Sequence, residues 1–405
     1  MEQLKEREHD FSAKLRQASV IESLKEYISW QRKVRSSSGQ PVFPRRGPIS
    51  VNLDLTTACN FSCPHCVDSR MLNTGDYLDL DTIKRSIETL QNNGLLSVIL
   101  IGGGEPTIHK NFEELVRFLS RQGLQIGIAT NGSRLERVAS VADAFKEGDW
   151  LRLSLDAARE STFFKSHRPR GRISLEKILG DASEIKNANS ALSLGYSFVI
   201  VWKGILINGY ELCENVQEIP EAVRLARENH FDYISFKPCL LRLDGSLKES
   251  IFSQPDEEHE TQVIDEITRN LEKARHEASD GVKILESINL DAMLNRKVHE
   301  LKVQPQVCHS QFFRTVIAPS GIFHCPALRG VDLGRIGSED GYKSAGNFEQ
   351  TQANLERSLR NFDAAKECDV VVCFYHHVNW WIEKFITSRK SVRSLTKVED
   401  DNFFL

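Results

Sequence analysis

The chain of 405 residues sets 52 Lys and Arg against 56 Asp and Glu, for a formal net charge of −4, and is 40% hydrophobic and 27% charged. That balance lacks the basic field of a nucleic-acid binder, and no apolar run reaches the roughly 18–20 residues that a membrane span needs. The charged start MEQLKEREHD has no apolar signal-peptide core, so the expectation is a cytoplasmic protein with neither nucleic acid nor membrane as partner, in which nine cysteines serve metals rather than disulfides.

Residues 8–34 have a helical stripe of Phe11, Leu15, Ile21, Leu24 and Ile28. Ser19 and Glu22 have capping-box spacing, which would split the stripe into two helices. The Ser-, Gly- and Pro-rich run 36–48 ends a helical extension, taken as 1–47. Strands are then expected at 50–55, 96–101, 124–130, 150–156, 192–201 and 231–237. Helices are expected between them near 80–93, 111–122, 135–146, 174–189 and 217–229. Six strands alternating with helices predict an α/β fold with a parallel sheet. Eight units would close a barrel, so the six of 48–240 predict a partial (β/α)6 barrel of TIM type. Its chemistry would sit at the C-terminal ends of the strands.

From 241 to 300 a helical connector is expected, with helices at 259–278 and near 287–300. Residues 301–405 form the last expected unit. There FFRTVIAPSGIFHCPAL (312–328) reads as a β-hairpin around Pro-Ser-Gly. The tail from Cys373 reads as helix.

The cysteines carry the chemistry. Cys59, Cys63 and Cys66 form C-x3-C-x2-C just after the first strand. Thiolates suit iron–sulfur clusters, and three of them leave one iron of a [4Fe–4S] cube open to a small molecule. Zinc with His65 as fourth ligand is the alternative. Cys308, Cys325, Cys368 and Cys373 supply four thiolates, enough to saturate a second cube, with structural zinc again the alternative. Gly103, Gly104, Glu105 and Pro106 follow the second strand. Glycines there let the backbone approach a ligand, and the carboxylate can take an ammonium group.

The C-x3-C-x2-C loop, the GGEP turn forty residues on, TNG (130–132) and SLD (154–156) together resemble the radical S-adenosylmethionine (SAM) superfamily. The resemblance implies that Cys59, Cys63 and Cys66 hold a [4Fe–4S] cluster whose open iron binds SAM. It implies that an electron from a donor such as flavodoxin or ferredoxin cleaves SAM to methionine and a 5′-deoxyadenosyl radical, which abstracts hydrogen from a substrate. It places Gly103, Gly104, Glu105, Pro106, Asn131, Ser154, Asp156 and Arg168 at SAM. The four late cysteines resemble the SPASM/twitch extension of that superfamily and imply a second, auxiliary [4Fe–4S] cluster. Their spacing is similar to that of the 2-deoxy-scyllo-inosamine dehydrogenases.

A saturated auxiliary cluster suits electron traffic. The expected reaction is therefore dehydrogenation of a small polar metabolite such as an aminosugar or cyclitol. Maturation of a ribosomally made peptide and redox-neutral epimerisation are the alternatives. Cys239 and Lys237, near the end of the sixth strand, are the candidate catalytic residues. Cys239 could return a hydrogen atom, and its bland alternative is a small buried hydrophobe.

Overall fold

The computed structural model describes residues 11–36, 41–242, 248–252, 256–278 and 281–399. Its centre is a ten-stranded sheet. The strands are β1 (Ser50–Asp54), β2 (Ser97–Ile101), β3 (Gln125–Thr130), β4 (Trp150–Ser154), β5 (Ser193–Ile200), β6 (Tyr233–Pro238), β7 (Lys283–Glu286), β8 (Arg314–Ala318), β9 (Gly321–Phe323) and β10 (Arg335–Gly337). Their order in the sheet is β7-β6-β5-β4-β3-β2-β1-β8-β9-β10. Neighbours from β7 to β8 run parallel, and β8-β9-β10 are antiparallel.

The six expected barrel strands are all present within a residue or two. The period of two explains their two faces. Val51, Leu53, Val98, Leu100, Leu151 and Leu153 belong to the core packed against the helices. Their alternates Asn52, Ile99, Ile101 and Arg152 point to a cavity inside the curved sheet. Helix α1 (Ile21–Arg35) precedes the sheet, and the helices between its strands are α2 (Leu80–Gln91), α3 (Phe112–Arg121), α4 (Leu135–Ala139), α5 (Glu160–His167), α6 (Leu175–Ala188) and α7 (Ile219–Glu228). Asp79 and Ser174 cap α2 and α6 by accepting from the backbone N–H of Thr82 and Lys177. Among the described residues no helix is long and apolar enough to cross a membrane.

Three features differ from the sequence reading. The N-terminal stripe is split, into Phe11–Lys14 and α1, but no side chain caps α1, whose N-cap residue is Val20. The stretch 241–300 is not purely helical: besides α8 (Glu257–Ala278) and α9 (Ile288–Leu294) it contributes β7, a further parallel strand beside β6. The hairpin at 312–328 forms as β8 and β9, yet it extends the barrel sheet, β8 lying parallel to β1 with Val51 opposite Thr315. Helices α10 (Ala345–Asn361) and α11 (His376–Thr387) complete the late region.

Candidate functional site

The loop after β1 carries the first cysteine group, and its shape depends on the glycine turn after β2. The Gly104 N–H donates to the Thr56 carbonyl at 2.9 Å and the Glu105 N–H to the Ala58 carbonyl at 2.8 Å. A Cβ on Gly104 would land on the Ala58 carbonyl, so glycine is required for this close approach. Asn73 accepts the Cys59 N–H at 3.0 Å. Cys63 Sγ lies 3.2 Å from His167 Nδ1, while His167 Nε2 donates to the Leu155 carbonyl at 2.8 Å. Burial raises the pKa of all three thiols, and for Cys63 the neighbouring Cys66 and Cys59 add to it. Cys66 is pushed up to about 12, by burial first and Asp68 second. A metal centre would have to take these sulfurs as thiolates, so its binding is coupled to proton release.

The late group is assembled from four places: the turn before β8, the end of β9 and both sides of the bend that precedes α11. Burial is the largest cause raising each of these thiols. Mutual repulsion follows: Cys308 and Cys325 raise Cys368, and all three raise Cys373. The four cysteines separated by up to 65 positions in sequence are therefore one electrostatic group. Asn379 donates to Cys308 Sγ at 3.7 Å.

Both groups fit iron–sulfur clusters. Among the described residues no three Cys, His, Asp or Glu side chains converge on the position of one ion. Cysteine thiols gathered in two groups are soft donors of the kind that holds iron–sulfur clusters. His65, which a zinc reading of the first group requires, has its Nε2 3.1 Å from Asp156 Oδ2.

The residues expected at SAM gather at the ends of β2, β3 and β4. Glu105 is fully buried and already bonded: it accepts from the Thr107 N–H, the Thr107 and Thr130 hydroxyls and the Asn131 N–H, at 2.5 to 3.0 Å. Its carboxylate thus ties the GGEP turn to TNG. Asn131 in turn donates to Asn60 at 3.0 Å, in the cysteine loop. Asp156 has φ 50° and accepts the Val199 N–H at 2.7 Å in addition to facing His65. Ser154 ends β4. Arg168 stands apart, at φ 45° after α5, over the Tyr210 ring at 5.7 Å. It lines a separate cavity of about 330 Å³ with Pro64, His65 and Cys213.

A larger chamber of about 400 Å³ opens inside the curved sheet. Cys325 and Cys373 of the late group form part of its wall, as do Val67 and Asp68, which follow Cys66. Lys237 and Cys239 line it too, so the structure brings both candidate catalytic residues into the same cavity as Cys325 and Cys373. Cys239 is only 1% exposed, and burial pushes its thiol up to about 12, which keeps it as S–H. None of the eight residues expected at SAM lines this chamber.

Sequence reading missed Arg152, Arg314 and Arg329. Arg329 is buried between Asp54 and Asp68, 2.7 Å from each. Burial alone would lower its pKa, and the two carboxylates outweigh that. Asp54 is pushed up to about 7 by burial, against the pull of Arg329. This triad joins the end of β1, the first cysteine loop and the segment after Cys325. A signal for Arg152 was present: it is the lone cation inside the apolar strand WLRLS.

Residues 53–204 match the Radical SAM superfamily. The chain is 33% identical over 113 residues to an S-adenosylmethionine-dependent nucleotide dehydratase of Selenomonas ruminantium, covering 28% of this chain and 40% of that one. It is 39% identical over 100 residues to the PqqA peptide cyclase of Rhodopseudomonas palustris, covering 24% and 26%. These matches span well under half of either relative's length. Among solved structures, Streptococcus suis SuiB bound to S-adenosylmethionine superposes with a TM-score of 0.56 at 14% identity, over 95% of this chain and 89% of that one. A structure of anSMEcpe with bound AdoMet gives 0.51 at 13% identity, over 86% and 99%. At such identities the likeness is one of fold. The chain therefore carries a radical SAM domain, of the family that uses a [4Fe–4S] cluster and SAM, within a fold that SuiB shares along nearly its whole length.

Proposed function

We propose that the protein is a radical SAM oxidoreductase that dehydrogenates a small polar metabolite, in the range from aminosugars and cyclitols to nucleotides, inside the chamber between its two cysteine groups. The observation that supports this most is the chamber's wall, which includes Cys325 and Cys373, Val67 and Asp68 just after Cys66, and Lys237 and Cys239. A volume of about 400 Å³ suits a metabolite.

In this reading Cys59, Cys63 and Cys66 hold the first cluster, and Gly103, Gly104, Glu105, Pro106, Asn131, Ser154, Asp156 and Arg168 hold or shape the SAM site. The reduced cluster with SAM supplies a hydrogen-abstracting carbon radical. Glu105 orders the turns after β2 and β3, and Asp156 fixes His65 beside the cysteine loop. Arg329 holds the two cysteine regions in register through Asp54 and Asp68. Cys308, Cys325, Cys368 and Cys373 hold an auxiliary cluster that suits the departure of a second electron.

A second reading is a peptide maturase, favoured by the PqqA peptide cyclase among the relatives and by the fold of SuiB, which has also been solved bound to the precursor peptide SuiA. The domain division that goes with the proposal is a helical extension over 1–47, a barrel over 48–240, a connector over 241–300 and an auxiliary-cluster region over 301–405.

Replacing Cys308 and Cys325 by alanine tests the role of the late group. Reductive cleavage of SAM should continue while substrate oxidation is lost. Normal turnover by that variant, once shown to be folded by circular dichroism, would refute a catalytic role for the late site.

A further inference from the structure

The first cysteine loop leaves Cys66 through Val67 and Asp68, and two arginines from distant parts of the chain hold these two residues. Arg329, which follows Cys325 in the late region, pairs with Asp68 at 2.7 Å. Arg242, just beyond the end of β6, donates to the Val67 carbonyl at 3.3 Å. The same guanidinium donates to the Ala327 carbonyl at 3.4 Å and to Glu249 at 2.9 Å. One planar fork therefore touches the segment after Cys66 and the segment after Cys325 at once.

Glu249 carries the connection on to the other late cysteines. Leu241–Arg242 and Glu249–Ser250 pair as a short antiparallel ribbon, with Arg242 opposite Glu249. One Glu249 carboxylate oxygen faces Arg242, and the other accepts the Val372 N–H at 3.0 Å. The Glu249 N–H donates to the Val370 carbonyl at 2.8 Å. Val370 and Val372 lie in the bend between Cys368 and Cys373. The Glu249 side chain is buried and that of Arg242 is half-buried. A buried ion pair adds little stability over apolar packing of the same volume. What this pair supplies is geometry: three segments, each next to a cysteine, are tied to one hydrogen-bonded unit.

We infer that Arg242, oriented by Glu249, is a positioning residue that sets the separation and mutual orientation of the two metal centres. This rests on both cysteine groups holding clusters, as proposed above, and adds what fixes the gap that an electron has to cross. Arg242 acts through the backbone of Val67 and Ala327 and, by way of Glu249, of Val370 and Val372. Arg329 joins the first loop to the segment after Cys325 through carboxylates, whereas Arg242 and Glu249 bring in the Cys368–Cys373 bend as well.

The test compares the cluster-loaded wild type with Arg242→Met, Arg242→Lys and Glu249→Gln. Its readout is the magnetic interaction between the two reduced clusters, seen as broadening and faster relaxation of their electron paramagnetic resonance signals. A dipolar interaction falls with the cube of the separation, so it reports the gap directly. The wild type should show it. Arg242→Met should keep its iron, the g values of each cluster and SAM cleavage under dithionite, while the interaction weakens and spreads over a range of strengths. Glu249→Gln should shift it in the same direction. Arg242→Lys keeps the charge but loses the fork, so its loss should be partial. As the mildest change, it carries the test should the other two fail to load the late cluster. Two clusters with no interaction in the wild type, or an interaction that the substitutions leave unchanged, would overturn the inference. So would loss of SAM cleavage in Arg242→Met with the interaction intact, because Arg242 would then serve the first cluster alone. Iron content separates this inference from the reading beneath it. A wild type with fewer than two clusters breaks the two-cluster reading, whereas two clusters with an unmoved interaction break this inference alone.

Discussion

Replacing Cys59, Cys63 and Cys66 together by alanine is expected to reduce SAM cleavage to the level of a protein-free control, while the iron of the late site is retained. The loop does not depend on these thiols for its course. It is held by backbone bonds from Gly104 and Glu105 to Thr56 and Ala58, and by the Asn73 side chain on the Cys59 N–H. What the substitution removes is the soft donor set, and no other cysteine flanks that loop. Methionine and 5′-deoxyadenosine, quantified under dithionite, give the readout. Cleavage near the wild-type rate would remove the first site from the chemistry altogether.

The second large effect concerns the fate of the substrate. Loss of a hydrogen atom leaves the substrate one electron short. Either a second electron leaves toward the late cysteines and a proton leaves to solvent, giving a product lighter by two hydrogens, or the Cys239 S–H returns a hydrogen atom and gives an isomer. Both partners line the same chamber. Cys239 is kept protonated by burial, as hydrogen return requires. The late group still carries more weight, because four thiols drawn into one electrostatic group serve no packing purpose that a single buried cysteine would not serve. The expected product in deuterated water is thus two hydrogens lighter and carries no solvent deuterium at the reacting carbon, in wild type and in Cys239→Ser alike. An isomer bearing one carbon-bound deuteron, made by wild type and lost in Cys239→Ser, would make the enzyme an epimerase.

Much of the fold was legible because it rests on local pattern. The apolar strands and amphipathic helices of 50–238 were each long enough to declare their period. β7 was not, since KILE is four residues set beside a long polar helix. α5 was missed because ESTFFKSH has no apolar stripe; it is set by contacts, with Phe163 and His167 turned onto Phe61. The hairpin of β8 and β9 was readable from Pro-Ser-Gly, but its docking beside β1 depends on partners some 260 residues away. The same holds for the site. Cysteine spacing and the GGEP turn are local signals, and they led to the right loops. The wall of the chamber is assembled from single residues on different strands, and nothing at Arg152 or Arg314 in isolation shows that they share a cavity. Glu105 and Asp156 were read as ligand contacts from the motif alone; their bonds to Asn131, Val199 and His65 became visible only in three dimensions.

The central claim is that two iron–sulfur sites flank one chamber, and metal content tests it most directly. Seven cysteines, three at the first site and four at the second, call for two cubes. Protein prepared without oxygen should contain about eight iron and about eight acid-labile sulfide per chain, with no stoichiometric zinc. About four iron together with one zinc would contradict the account, because the late cysteines would then hold a single structural ion with no electron to accept.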